Sequence, residues 1–181
     1  MRRHDGRVAL AVCLLFDAEG ERVIRGLWAR LESRGVPTPL THTHGRHHPH
    51  LSLAVARTWD LDAVLASVAA LPPALPVRLA CQGIVAFPRG RAALAVAVSV
   101  DLARRQEAAV AAVMATGADL HHHYLPGRWV PHVSIATGGN ADQLPIVATT
   151  VTDMLPLSVT GTRAALVDSS TGETWPLPAL I

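Results

Sequence analysis

The chain has no lysine. All sixteen of its basic side chains are arginine. That absence excludes a Schiff-base lysine, a P-loop lysine and a lysyl-adenylate intermediate. Charge is also scarce, at 17% of residues against the usual quarter, while half of the chain is apolar. Such a composition belongs to a well-buried globular chain. The formal charge of +2 permits an anionic substrate but does not describe a surface that coats nucleic acid. There are two cysteines, Cys13 and Cys81, each inside an apolar, strand-like run. They read as buried free thiols, not as a disulfide or a nucleophile. No apolar run approaches the ~18 residues that would span a membrane. The apolar run after Met1-Arg2-Arg3 is short, ends in Phe16-Asp17 and has no clear cleavage site, so a cytoplasmic protein is expected.

With 181 residues the chain has room for one domain or two small lobes that share a core. Apolar periodicity predicts strands over 8–16, 77–87, 92–100 and 159–168. It predicts helices over 19–33, 60–71, 102–116 and 142–154, with a short edge strand within 174–180. Two further strands carry the most informative pattern. Pro49-His50-Leu51-Ser52-Leu53-Ala54 returns as Pro131-His132-Val133-Ser134-Ile135-Ala136, offset by 82 residues (132 − 50). Side chains two apart on a strand share a face. Each strand therefore shows a His and a Ser on one face and turns Leu51 or Val133 to the other. Two such strands side by side would bring two imidazoles to one cleft, which suits acid–base chemistry without a metal.

The same offset carries every other element of the first half onto one of its own kind. The predicted fold is therefore α+β, with two pseudo-symmetric lobes from a duplicated β-α-β-α-β unit. Antiparallel-rich sheets, with helices outside, would surround a central cleft. The repeats run over about 8–88 and 90–170, and 1–181 is expected to be a single two-lobed domain.

These residues resemble the 2H phosphoesterase superfamily, in particular its bacterial 2′-5′ RNA ligase-like, or RNA 2′,3′-cyclic phosphodiesterase, branch. The hallmark is a pair of His-x-Ser/Thr motifs, here His50-Leu51-Ser52 and His132-Val133-Ser134. Gln82-Gly83-Ile84-Val85-Ala86-Phe87-Pro88 is similar to the family's middle segment. Both motifs carry Ser where relatives often have Thr. The basic residue that often follows the second motif is absent, since Ala136-Thr137-Gly138 stands there. With no lysine, ATP-driven ligation through a lysyl-adenylate is excluded.

The resemblance implies hydrolysis of a 2′,3′-cyclic phosphate, with His50 and His132 as acid and base in an order the sequence leaves open. Ser52 and Ser134 would hydrogen-bond the non-bridging oxygens. Arg128 is the candidate phosphate cation, and Trp129 and Tyr124 are candidates for stacking on a base. No cofactor is expected. The loop histidines His42, His44, His47, His48, His121, His122 and His123 fit no standard zinc spacing, so no metal is assigned. The expected partner is an RNA 3′ end or a small nucleotide with a cyclic phosphate, met by a monomer. Alternative substrates are 2′-5′ oligonucleotides or an ADP-ribose cyclic phosphate. Alternatives of another class are an RNA-end or nucleotide-binding module without turnover and a metal-binding protein built on the His-rich loops.

Overall fold

A computed structural model describes residues 9–181. Val8 of the first predicted strand and the Met1–Arg3 segment lie outside the described residues. The chain runs β1 (Leu10–Phe16), α1 (Ala18–Glu32), β2 (His50–Thr58), α2 (Leu61–Ala69), β3 (Val77–Phe87), β4 (Arg91–Val96) and α3 (Val100–Ala115). It continues with β5 (Asp119–Leu120), β6 (His132–Ala136), α4 (Leu144–Thr152), β7 (Leu157–Asp168) and β8 (Thr174–Pro176).

α1, α2 and α3 begin where a side-chain oxygen takes up an orphan backbone N–H. Asp17 accepts from Gly20, Asp60 from Ala63, and Ser99 from Leu102. Ser99 also explains why β4 stops at Val96 and not at the predicted 100. Its cap starts α3 at Val100, and Val98 and Val100 are exposed, so the apolar run spans an element boundary. The predicted helix over 142–154 divides into a 3-10 turn, Ala141–Gln143, and α4. Pro145 lies in the first turn of α4, where its missing N–H would have had no helical partner.

All the strands of this region join one antiparallel sheet in the order β5-β2-β1-β7-β3-β4-β6, with β8 paired to β7. Exchanging β1 with β4, β2 with β6 and β7 with β3 turns the path from β2 to β6 into its own reverse. The β3–β7 pairing runs from Val77–Gly161 to Cys81–Leu157 and is centred on Leu79–Val159. The approximate two-fold therefore passes near that pair. The two halves share one sheet because β3 and β7 pair with each other, so neither half closes a sheet of its own.

Four helices cover one face. On β1 the even positions, Leu10, Val12, Leu14 and Phe16, join Ile24, Leu27, Trp28 and Leu31 of α1 in the main core. The odd positions, Ala11, Cys13 and Leu15, form a small second cluster with Ala165 on the opposite face. Leu51, Leu53, Val133 and Ile135 belong to the helix-covered core, each fully buried. The period of two thus turns His50, Ser52, His132 and Ser134 to the face without helices. Among the described residues, no helix is long and apolar enough to cross a membrane.

Candidate active site

β2 and β6 are not neighbours in the hydrogen-bonded order, as a side-by-side arrangement would require. They lie toward opposite ends of the path, and the sheet coils until their residues come into contact. Both outer edges stay partly open there, because β5 pairs only with Ala56 and Thr58 of β2 and β6 is the last strand. The carbonyls left over are taken up by indoles. Trp129 Nε1–H donates to the Ser52 carbonyl at 3.1 Å, and Trp28 Nε1–H donates to the Ser134 carbonyl at 3.0 Å. The first of these bonds ties the segment before one motif directly to the strand of the other.

The two histidines are held alike. His50 Nδ1 lies 2.6 Å from the His48 carbonyl, and His132 Nδ1 lies 2.7 Å from the Val130 carbonyl. A carbonyl only accepts, so Nδ1 carries the proton in both rings and Nε2 is left to gain or lose one. The loop behind His50 is fixed in turn. Arg25 donates to the His47 carbonyl at 3.0 Å, and Arg46 donates to the Thr171 carbonyl at 2.6 Å. His50, His132 and Ser134 line a cleft of about 1010 Å³.

What surrounds each ring breaks the two-fold. Cys13 sits directly across from Ser52, its Sγ 3.7 Å from the Ser52 Oγ, and Leu15 is across from His50. Opposite Ser134 and His132 stand Ala93 and Ala95. Burial works against a charged His50, but the nearby Cys13 and the His48 carbonyl outweigh it and raise the imidazole to about 9. His132 moves the other way. Burial lowers it, the Val130 carbonyl opposes that, and the charges of His50 and Arg91 lower it further. The Phe87 ring packs on His132 at 4.9 Å between centroids. His47, also on the cleft wall, is pushed down to about 4 by burial and by the charges of His44, His50 and His42.

The remaining candidates are spread around the same cleft. Arg128 is exposed on its wall, and Trp129 is half-buried there with its N–H committed to β2. Tyr124 also lines it, with its hydroxyl beside Ser52. Burial and the nearby Cys13 push that phenol up to about 12, against the pull of Ser52 and Arg91. Cys13 and Cys81 are free and buried, as expected, and burial pushes Cys81 up to about 11.

Sequence reasoning missed Phe87 and Arg91, which reads as a turn charge. The two pair across the β3–β4 hairpin, and both line the cleft. Arg91 stands two residues before Ala93, so strand alternation was the signal available for it. The loop histidines divide between two rims, with His42, His47 and His48 on one and His121 and His123 on the other. His44 packs instead against Gly172, and its Nδ1 accepts the Arg46 backbone N–H at 3.0 Å.

The fold recurs in known proteins. E. coli LigT, in complexes with NADP+ and with 3′-AMP, superposes with a TM-score of 0.62 at 14% and 15% identity, covering 93% of both chains. Usb1 of Kluyveromyces marxianus superposes with a TM-score of 0.52 at 16% identity, covering 94% of this chain and 97% of its own. At such identities the likeness is one of fold. Comparison with the curated proteins gives no match. The sequence itself matches the 2′-5′ RNA ligase superfamily over residues 20–173, a span that takes in both His-x-Ser motifs and the strands from β2 to β7. By that match the chain belongs to the 2′-5′ RNA ligase superfamily of 2H phosphoesterases, and its membership implies phosphodiesterase-type activity.

Proposed function

We propose that this protein hydrolyses 2′,3′-cyclic phosphates on RNA ends or small nucleotides, with His50 and His132 as acid and base and no metal in the chemical step. The matched pair of imidazoles carries this reading. Each has its Nδ1 tied to the carbonyl two residues before it, and each is followed two residues later by a serine. The complexes of the similar LigT with 3′-AMP and NADP+ lend support, since both ligands are nucleotides. The proposed unit is one two-lobed domain over 1–181, acting as a monomer in the cytoplasm.

The opposed shifts favour one order of roles. A neutral His132 takes the proton of the attacking water at Nε2. A protonated His50 gives its Nε2 proton to the departing ribose oxygen. The water oxygen bonds to phosphorus as the bond to one ribose oxygen breaks, leaving a phosphomonoester and a free hydroxyl. Ser52 and Ser134 donate hydrogen bonds to the non-bridging oxygens, and Arg91 and Arg128 hold the anion. Charge that grows on phosphate oxygens in a partly dry cleft is where such donors matter most. Turnover of 2′,3′-cyclic mononucleotides, with the product position assigned by phosphorus NMR, tests the reading. Binding without turnover would leave a nucleotide-binding module.

The pH profile follows from the same shifts. The active form has His132 neutral and His50 charged. The rate should rise as pH climbs through the lowered value of His132, below 6.5. It should fall as pH climbs through the raised value of His50, near 9. Both limbs are macroscopic properties of the pair. The plateau is wider than two ordinary histidines would give. Cys13→Ala removes the larger of the influences that raise His50 and leaves the His48 carbonyl, so the upper limb should move down while the lower one stays. An upper limb that does not move would show that Cys13 does not set it.

Hydrolysis of a 2′,3′-cyclic mononucleotide should survive EDTA at full rate, because two imidazoles supply both proton transfers. Loss on chelation, restored by zinc or manganese, would replace the imidazole base with a metal-activated water.

A further inference from the structure

The rim of the cleft before β6 gathers three imidazoles in one place. His121 is extended, and His122–Tyr124 form a single 3-10 turn, so these consecutive side chains close on one another instead of alternating. One ring nitrogen from each lies within 4.8 Å of the other two. The His122 and His123 centroids are 3.8 Å apart, and the His121 ring is 4.9 Å from His122. The turn is fastened down. His121 N–H donates to the Val55 carbonyl of β2 at 2.7 Å, and Tyr124 N–H donates to the His121 carbonyl at 2.8 Å. The nearby carboxylate of Asp119 is engaged by Arg57 at 3.0 Å. His121 and His123 line the cleft beside Tyr124 and Arg128.

We propose that His121, His122 and His123 bind one divalent late first-row metal ion, such as Zn²⁺, at the lip of the cleft. Its open position would take a phosphate oxygen of the substrate other than the one being cleaved. Imidazole nitrogen suits Zn²⁺, Ni²⁺ and Cu²⁺. Three neutral ligands leave the ion its full charge and at least one free position. Zinc needs each nitrogen at roughly 2.0–2.1 Å, so the rings must close further. His122 and His123 are exposed and can do so by side-chain rotation. The sequence spacing hid the site because linear zinc patterns presuppose a helix or a hairpin, not a 3-10 turn. The phosphate half of the proposal rests on the phosphodiesterase reading; the metal half does not. A cyclic mononucleotide has a single phosphate and gains nothing from the ion, in keeping with an EDTA-resistant chemical step.

The test is a Co²⁺ titration of the full untagged chain, read by the visible absorption of low-coordinate cobalt. One equivalent should bind and be displaced by Zn²⁺. His122→Ala and His123→Ala should each weaken binding by at least about tenfold, since even an outer-shell partner of a metal is worth that much. His42→Ala combined with His47→Ala, on the opposite rim, should leave the titration unchanged. So should His132→Ala, so that failure of the metal site and failure of the hydrolytic reading are seen separately. No cobalt spectrum at one equivalent, or a spectrum that survives His122→Ala, would overturn the site. Inorganic phosphate is the second probe. Bound Co²⁺ should speed its phosphorus relaxation in the wild type and not in His122→Ala. Unchanged relaxation with cobalt bound would overturn the anchoring role.

Discussion

His132→Ala should slow hydrolysis of a 2′,3′-cyclic nucleotide by roughly 10²–10⁴-fold, and His50→Ala should do the same. The variants should differ in what rescues them. If His50 donates the proton to the leaving oxygen, a diester with an acidic aryl leaving group needs little of that help. His50→Ala should then recover most of its rate on such a substrate, while His132→Ala should not, because attacking water still lacks a base. Each variant should also lose one limb of the pH profile, the upper with His50 and the lower with His132. Replacing both should cost far less than the product of the two losses, since the groups act as a unit. Ser52→Ala and Ser134→Ala, which remove donors without removing titrating groups, should slow the reaction and keep both limbs. Rescue of His132→Ala instead would reverse the roles. Near-normal turnover in both histidine variants would make the pair structural.

The asymmetry behind that prediction could not be read from the chain. The duplicated motifs were legible because strand alternation buries Leu51 and Val133 and leaves His and Ser on the other face, a pattern independent of tertiary detail. The repeat also carried the order of strands and helices. But a repeat makes His50 and His132 look alike, and only cross-strand register tells them apart. Cys13 faces Ser52 because the β1–β2 register shifts between Val12 and Cys13; Ala93 faces Ser134 next to a shift between Ala92 and Ala93. Irregularities of one residue leave no periodic signal, yet they decide which side chains meet. Arg91 was hidden for a related reason, because it begins a strand immediately after a turn. Tyr124 and the three histidines before it lie on a turn whose geometry no apolar pattern records. That β2 and β6 would meet through coiling of one sheet, and not as paired neighbours, depends on pairing between distant strands.

Trp28→Ala should cost about 3–5 kcal/mol of stability, because a large, fully buried side chain is lost from a packed core. Trp28 is 1% exposed, packs among the α1 residues of the main core, and has Arg25 5.7 Å from its ring centroid. A domain holds only ~5–15 kcal/mol in total, so this variant can unfold outright. Trp28→Phe is the sharper test, since it keeps an aromatic ring in the core and removes the N–H. The Ser134 carbonyl then loses its partner on the open edge of β6, at a cost of about 1–3 kcal/mol. β6 is short, only His132–Ala136, and carries two of the proposed site groups. Loosening its edge should disturb the placement of His132 and Ser134. Turnover of the cyclic substrate should fall even at temperatures where the variant is fully folded. Leu31→Ala is the control, since it removes a buried residue of the same helix with no bond to the site. It should lower the melting temperature and leave kcat unchanged below it. If Trp28→Phe instead matched the wild type in both melting and kcat, the indole bond to Ser134 would have no part in holding β6, and His132 would owe its position to the strand pairing with β4 alone.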